Sequence, residues 1–302
     1  MAFYNVENLF HPYWDSLNPD EEFRPEGRRE WNYWKYKERL KRLSKVIISL
    51  SDSSYNPPAL VAFAEIESRA VLSDLIKNGY FQKLNYQSVH YDSPDRRGID
   101  VGLIYQRHKL KLIQSKAIPY RDPNNPKYRS RDMLFASFET VKKDTLNIFI
   151  CHWPSRYGGK IKSMPKRLNA ALILSRFIDS LQLQTKSPFI ILGDFNDGPQ
   201  DSSMTMLCRN ANLKNLMLDL DPKLGSHRYK GEWAYLDQIL VSNGHLKFIS
   251  GLGVFQAPFL LEPQGRLPGL KPKRAFQGPF FTKGYSDHLP IYLDWSLRPN
   301  LH

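Results

Sequence analysis

The feature that most constrains the fold is an alternation of short strand-like apolar runs with amphipathic helical stretches, with no linker between them. Strands are predicted over residues 2–6, 60–64, 100–105, 110–118, 133–139, 145–151, 189–192, 237–241 and 290–295. Helices are predicted over residues 34–50, 71–76 and 164–183, and the Lys and Arg residues of the first are expected to form a solvated face. Many strands with a few helices between them predict two sheets packed face to face, with helices outside, in one domain over residues 1–302.

The chain is basic, with 43 Lys and Arg against 30 Asp and Glu and a net charge of +13. Such an excess attracts polyanions, so nucleic acid, anionic lipid and phosphorylated small molecules are candidate partners; a basic surface without a specific partner is the alternative. The 24% of charged residues is ordinary for a globular protein and excludes global disorder. Cys151 and Cys208 are too few for a disulfide framework and form no CxxC pair.

Targeting signals are not evident in the sequence. No run reaches the roughly 18 apolar residues of a membrane span, and no signal peptide is present. The chain opens directly inside a strand-like motif, so a leader in a natural precursor is not excluded and the location stays open between cytoplasm and export. We expect a monomer.

Polar residues collect where the predicted strands end or begin. They are Asn5, Glu7, Glu65, His152, Asp194, Asn196, Asp237, Asp287 and His288. A carboxylate beside a buried strand is costly unless it is paired or metal-bound, and catalytic groups collect on loops that a rigid sheet positions. Each motif alone could be a turn or a cap; their joint occurrence indicates a site.

The residue types favour phosphoester chemistry. Oxygen ligands from Glu, Asp and Asn suit Mg²⁺ or Mn²⁺ better than zinc, and such a cation neutralises a phosphoryl group. A histidine with a carboxylate partner acts as a base or stabilises charge, and His288 has two candidate partners, Asp237 and Asp287. No Gly-rich triphosphate loop and no GxSxG motif is present, which disfavours a nucleotide triphosphatase and an α/β-hydrolase.

Taken in order, these motifs resemble the signature of the endonuclease/exonuclease/phosphatase superfamily, which includes deoxyribonucleases, AP endonucleases, sphingomyelinases and inositol polyphosphate 5-phosphatases. They are Asn5-Val6-Glu7, Glu65, His152, Gly193-Asp194-Phe195-Asn196, Leu236-Asp237 and Ser286-Asp287-His288. The strings at residues 4–10, 95–101 and 152–156 are similar to a subgroup common in Bacteroidetes. This resemblance does not supply a substrate.

The resemblance implies an α/β fold, a four-layer α/β/β/α sandwich of two mainly antiparallel sheets, and in-line hydrolysis of a phosphate ester with Mg²⁺ or Mn²⁺. It makes Glu65 the principal metal ligand, helped by Asn5 and Asp287, with Glu7 near a second metal or a metal-bound water. Asp194 and Asn196 would orient the attacking water. His288 with Asp237 would be the base or would stabilise the phosphorane, and which of Asp194 and His288 takes the proton is open. His152 would bind a phosphate oxygen or assist the leaving group, and Arg131 and Arg97 are weaker candidates for phosphate contact.

Three departures from the family pattern stand out. Ala64 stands where relatives often have Gln. His152 stands where AP endonucleases usually have Tyr, and this difference disfavours abasic-site repair. Residues 254–285 are long, aromatic and basic, and include Arg266; we expect them to pack on the sandwich edge, with substrate or membrane contact as the alternative. Residues 119–131 are a similar rim candidate.

Three alternative functions are compatible with these sequence features. The first is a phosphodiesterase acting on nucleic acid, which the charge favours. The second is a phosphatase or phosphodiesterase for a small or lipid-derived phosphoester. The third, an inactive binding module of the same fold, is disfavoured because all the principal site residues are present.

Overall fold

The computed structural model describes residues 1–13, 21–265 and 267–296, so Arg266 lies outside the described residues. The helices in this part are α1 (Tyr33–Ser49), α2 (Arg69–Lys77), α3 (Lys160–Gln182) and α4 (Ser202–Asn210). The strands are β1 (Ala2–Leu9), β2 (Leu60–Ile66), β3 (Tyr86–His90), β4 (Asp100–Gln106), β5 (Leu110–Ile118), β6 (Met133–Thr140), β7 (Thr145–His152), β8 (Phe189–Asp194), β9 (Leu213–Asn215), β10 (His227–Tyr229), β11 (Glu232–Ala234), β12 (Asp237–Ser242), β13 (Ile249–Val254), β14 (Leu261–Pro263), β15 (Leu270–Pro272), β16 (Phe276–Gln277), β17 (Phe280–Phe281) and β18 (Ile291–Trp295).

Two six-stranded sheets form the centre of the molecule. The first has the order β13-β18-β1-β2-β4-β3, and the second has the order β5-β6-β7-β8-β12-β9. Each sheet contains one parallel pair, β1 with β2 and β7 with β8, while the other neighbours are antiparallel. The prediction of two mainly antiparallel sheets is confirmed.

Three apolar layers separate the sheets and helices. Alternate residues of a strand point to opposite faces, so Phe63 of β2 packs toward α1 and α2, whereas its neighbour Ala62 lies between the two sheets. In the second sheet, Leu192 of β8 lies between the sheets, and Ile191 packs with α3 and α4. The order of layers is therefore helix, sheet, sheet, helix, as expected for the four-layer sandwich.

Some elements differ from the sequence-based expectation. The edge strands β3 and β13 and the helix α4 were not predicted, and β1 continues to Leu9 instead of ending at Val6. The expectation that the cationic residues of α1 form a solvated face is wrong for Arg39, which is only 4% exposed. Arg39 donates to the backbone carbonyls of Val6, Glu7 and Tyr285, and so joins α1 to the end of β1.

The long aromatic segment at residues 254–285 packs against the helical side of the first sheet. Leu260, Ala275 and Phe276 are buried there, and two small hairpins, β14 with β15 and β16 with β17, give the segment its shape. Phe280 at the second hairpin is 75% exposed. No helix in the described residues is long and apolar enough to cross a bilayer.

Gly193 provides a test of the packing between β7 and β8. A Cβ atom at Gly193 would overlap the carbonyl oxygen of Cys151, which belongs to a strand that cannot easily move. We expect Gly193→Ala to lower the free energy of unfolding by about 2–3 kcal/mol, measured by urea denaturation. Gly244→Ala is the matched control because no atom lies within 4 Å of the point that a Cβ at Gly244 would occupy, and equal stability losses in both variants would contradict this packing.

Candidate active site

The polar residues predicted from the strand ends meet at one edge of the sandwich. The parallel pairs β1–β2 and β7–β8 all end there, and β12 and β18, which are antiparallel to them, begin there. In the second sheet, Asp194 is paired in register with His152 on one side and with Asp237 on the other. Strand pairing alone therefore places three of the predicted residues side by side.

The ends of β1 and β2 are irregular in a way that redirects their side chains. The pairing of these strands shifts register between Asn5 and Leu9. Three residues in this region adopt a left-handed backbone conformation: Glu7 with φ 54°, Asn8 with φ 53° and Glu65 with φ 65°. Such conformations are unfavourable for residues with a Cβ, and they are found where function constrains the backbone.

Asp194 is at the centre of the site. Its Oδ2 accepts a hydrogen bond of 3.0 Å from Nδ2 of Asn5 and lies 3.6 Å from Nε2 of His152 and 3.9 Å from Nε2 of His288. Its Oδ1 accepts a 2.9 Å hydrogen bond from the backbone of Asn196. Burial, together with the charge of Asp237, raises the pKa of Asp194 to about 7, although the positive charge of His288 opposes this.

His288 is paired with Asp237 and not with Asp287. Its Nδ1 lies 2.6 Å from Oδ2 of Asp237, whose side chain is fully buried. Burial alone would lower the pKa of His288, but the charge and hydrogen bond of Asp237 outweigh it and hold this pKa well above its ordinary value. Ser286 fixes the loop by donating to the carbonyl of Asn5 over 2.7 Å and accepting from the backbone of His288 over 3.1 Å.

His152 and Glu65 form the side of the site next to Asp194. Nε2 of His152 lies 3.9 Å from Oε1 of Glu65, and burial, followed by the charges of Arg131 and Arg97, holds the pKa of His152 well below its ordinary value. Glu65 accepts a 2.8 Å hydrogen bond from the backbone of Asn8 and lies 3.3 Å from a terminal nitrogen of Arg97. Arg97 is close to half exposed, so it lies at the rim.

Glu7 and Asp287 are joined through Arg274. Oε1 of Glu7 is 3.0 Å from both Nε and Nη2 of Arg274, and Oε2 accepts a 2.9 Å hydrogen bond from the backbone of Ala275. Oδ2 of Asp287 is 3.1 Å from the same Nη2. Burial and the charge of Asp287 raise the pKa of Glu7 to about 7; the pKa of Asp287 is lowered because the charges of His288 and Arg274 outweigh its burial.

Arg131 and Asn196 share one backbone carbonyl. Nη2 of Arg131 donates to the carbonyl of Trp153 over 2.8 Å, and Nδ2 of Asn196 donates to the same oxygen over 3.1 Å. Arg131 is buried and also pairs with Asp95 over 3.0 Å. The structure thus places Asn196 beside Asp194, while the guanidinium of Arg131 is engaged in supporting the loop that follows β7.

Sequence reasoning missed some residues of this edge. His227 begins β10, forms a β-bridge with His288, and has its ring centre 4.8 Å from that of His288. Burial and the charge of His288 lower the pKa of His227 to about 4. Nothing in the local sequence marks His227, because only the bridge brings it to the site. Arg39 did carry a signal, since its spacing from Tyr36 and Leu43 places it on the buried face of α1.

The donor set of this edge fits a hard divalent cation. Its carboxylates are those of Glu7, Glu65, Asp194, Asp237 and Asp287. They outnumber the arginines that pair with them, Arg97 and Arg274, and sites rich in carboxylate oxygens suit Mg²⁺ or Mn²⁺. Asp194, Asp237 and His288 offer ligand atoms within 4.8 Å of one another, as do His227, Asp287 and His288. Both oxygens of Glu7 already have hydrogen-bond partners.

Comparison with solved structures shows the same fold in several proteins. A mannosyl-6-phosphatase from Bacteroides thetaiotaomicron matches with a TM-score of 0.60 and 15% identity, over 96% of each chain. The human Nocturnin catalytic domain matches with a TM-score of 0.56 and 18% identity, over 86% of this chain and 87% of the other. D. rerio TDP2 complexed with a single strand DNA product matches with a TM-score of 0.52 and 15% identity, over 85% of this chain and 90% of the other.

At the level of sequence, no curated protein matches the chain. The model of one family, described as "Endonuclease/Exonuclease/phosphatase family", matches residues 1–296, which confirms the resemblance seen in the ordered motifs. The match covers both sheets and every residue of the edge described above. The chain therefore belongs to the endonuclease/exonuclease/phosphatase family.

Proposed function

We propose that this protein hydrolyses a phosphate ester in a reaction that requires Mg²⁺ or Mn²⁺. The observation that carries the proposal is the arrangement around Asp194, which touches Asn5 of the first sheet and faces His152 and His288 at one edge of the sandwich. Family membership supports it, because the fold is that of phosphoester hydrolases. The pairing of His288 with the buried Asp237 supports an active enzyme over an inactive binding module.

Glu65, Asn5 and Asp287 would hold the metal, and the bound metal would neutralise charge on the phosphoryl group. Asp194 and Asn196 would orient the attacking water, whose oxygen forms a bond to phosphorus as the bond to the leaving oxygen breaks. The water proton passes to Asp194 or to His288, and this choice stays open. His152 would donate a hydrogen bond to a phosphate oxygen or to the leaving group.

A diester in nucleic acid is the first candidate substrate. The hairpin of β16 and β17 begins two residues after Arg274. It carries Phe280, which is 75% exposed, and Phe281, whose ring centre lies 6.0 Å from that of Trp34, which is 54% exposed. Nζ of Lys283 lies 5.3 Å from the ring centre of Trp34. Exposed aromatic rings with neighbouring cations suit stacked bases and phosphates, and TDP2, one of the proteins of this fold, is solved with a single strand DNA product.

A small phosphoester is the second candidate substrate. Arg97 and Arg274 are fixed by carboxylates at the rim of the site, where two guanidinium groups would suit a compact, highly charged phosphate. One protein with the same fold is a mannosyl-6-phosphatase. At 15% identity this similarity shows the fold alone, and a sugar phosphate is one member of the class of small phosphoesters.

Hydrolysis of three substrates tests both proposals. Bis-p-nitrophenyl phosphate, p-nitrophenyl phosphate and plasmid DNA are incubated with Mg²⁺, with Mn²⁺ or with EDTA. We expect at least one substrate to be cleaved with metal, and we expect EDTA to abolish cleavage. DNA nicking would support the nuclease, and cleavage of a small ester alone would support the second candidate. Cleavage that persists in EDTA would contradict the metal requirement.

A further inference from the structure

Arg274 lies at the site although no family motif includes it. It stands two residues before β16, in the aromatic segment at residues 254–285, and its guanidinium bridges Glu7 near the end of β1 and Asp287 before β18. These two carboxylates come from opposite ends of the chain. Arg274 therefore connects the aromatic segment to the candidate active site through two charged contacts.

The backbone of Arg274 is held in one position. Ala275, its neighbour, is fully buried and donates its backbone N–H to Glu7 over 2.9 Å. The returning chain packs so closely that a Cβ atom at Gly284 would overlap the carbonyl oxygen of Arg274. The backbone of Tyr285 donates to the carbonyl of Lys273 over 2.6 Å. The arginine is thus presented from a rigid base, which lowers the entropy lost when it binds a ligand.

The side chain of Arg274 keeps a donor edge available. Nε and Nη2 are used by Glu7 and Asp287, but Nη1 has no partner among residues 1–13, 21–265 and 267–296. The side chain is 48% exposed, in contrast to the buried Arg131, whose two terminal nitrogens are engaged. Asp287 is the chain neighbour of His288, so the guanidinium of Arg274 contacts a residue that is adjacent to the predicted reaction centre.

We propose that Arg274 is a substrate-binding residue whose Nη1 edge donates hydrogen bonds to an oxygen of the substrate's phosphoryl group. The inference rests on the proposed function and adds a phosphate contact to it. A guanidinium matches phosphate oxygens in geometry and charge, and two carboxylates that fix its orientation make it a directional donor. Glu7 is then a positioning residue for Arg274, because both of its oxygens serve Arg274 and the adjacent N–H group.

Titration with inorganic phosphate in the presence of Mg²⁺ tests this inference without turnover. We expect Arg274→Ala to weaken phosphate binding by about 10- to 100-fold, the usual effect of losing hydrogen bonds from a charged group. Arg274→Lys keeps the charge beside Glu7 and Asp287 but loses the planar fork, so it should fold and bind phosphate with intermediate affinity. Added guanidinium chloride should restore part of the phosphate binding of Arg274→Ala.

Lys271→Gln is the matched control, because it removes one positive charge from the same segment, where Nζ pairs with Glu262 across the β14–β15 hairpin. We expect its phosphate affinity to stay within about twofold of the wild type, as for a surface charge screened by salt. Equal affinities in the wild type and in folded Arg274→Lys and Arg274→Ala would overturn the inference, as would a wild type that binds no phosphate. Glu7→Gln should weaken phosphate binding in the wild-type background but have little further effect in Arg274→Ala, and an equal loss in both backgrounds would overturn its positioning role.

The same variants separate this inference from the proposed function. If the wild type cleaves none of the three esters but its phosphate affinity depends on Arg274, then the proposed function fails and the binding role stands. If the wild type is active and Arg274→Ala leaves both phosphate affinity and the KM for the cleaved ester unchanged, then only the binding role of Arg274 fails.

Discussion

Replacing His288 by alanine is expected to lower kcat/KM for a cleaved ester by about 10³-fold, within the range typical of a lost acid–base group. Nδ1 of His288 is 2.6 Å from Asp237, and its Nε2 faces Asp194 at 3.9 Å. The variant loses the imidazole, which is the group that could pass a proton between the buried carboxylates of Asp237 and Asp194 and the reacting phosphoryl group. Steady-state hydrolysis with saturating Mg²⁺ measures the effect.

The control for this variant must account for stability. Without His288, the fully buried carboxylate of Asp237 has lost its partner, and breaking such a pair costs about 3–5 kcal/mol. The double variant His288→Ala with Asp237→Ala removes both charges, so it should recover much of this loss and still be inactive. His245→Ala changes a histidine that contacts Ser242 at the far end of β12, and it should keep full activity. A folded double variant with near wild-type activity would exclude His288 from the mechanism.

The sandwich was predictable because its central strands carry strong signals. The apolar runs at residues 60–64 and 189–192 became β2 and β8, which lie inside the sheets and are covered on both faces. The edge strand β5 was predicted, but the edge strands β3 and β13 carry weaker patterns. β3 was not predicted because exposed and half-buried polar residues, Gln87 and Ser88, interrupt its buried positions. β13 was not predicted because two glycines interrupt its apolar pattern.

The composition of the site was more predictable than its pairings. Strand ends identified Asp194 and His288. Residue types alone left Asp237 and Asp287 as candidate partners for His288, and only the family resemblance favoured Asp237. The choice depends on the antiparallel pairing of β12 with β8, which places Asp237 within the second sheet beside Asp194. Asp287 is instead drawn to Arg274. Such choices are made by contacts between residues far apart in the chain, which local patterns do not encode.

The role of Arg274 illustrates the same limit. In the sequence it is one cation among several in a long basic segment, and nothing distinguishes it from Lys271 or Lys273. In the structure Lys271 pairs with Glu262 across the β14–β15 hairpin, whereas Arg274 reaches Glu7 and Asp287. The backbone of Lys273 and Arg274 is packed closely against Gly284. The segment was expected to pack on the sandwich edge, with substrate or membrane contact as the alternative, and in the structure one of its cations contacts two carboxylates of the site.

Replacing Glu65 by glutamine is expected to weaken Mg²⁺ binding by at least about 10-fold and to lower kcat by about 10²-fold, because the metal stabilises charge in the reaction by several kcal/mol. Glutamine has nearly the same shape and can still accept the 2.8 Å hydrogen bond from the backbone of Asn8, so the backbone at φ 65° should be retained. The variant loses mainly the negative charge near Arg97 and His152. Calorimetric titration with Mg²⁺ measures the affinity, and steady-state hydrolysis measures kcat.

Thermal unfolding separates metal binding from catalysis in this experiment. A ligand that binds only the folded state stabilises it by about 2.7 kcal/mol at a concentration of 100 times Kd, so Mg²⁺ should raise the Tm of the wild type and raise that of Glu65→Gln much less. Glu67→Gln is the matched control, because Glu67 lies just past the end of β2 and accepts from the backbone of His11, so its change should leave the Mg²⁺ response intact. If Glu65→Gln responds to Mg²⁺ as the wild type does, then Glu65 is not the principal ligand, and the metal must be held by the carboxylates around His288 instead.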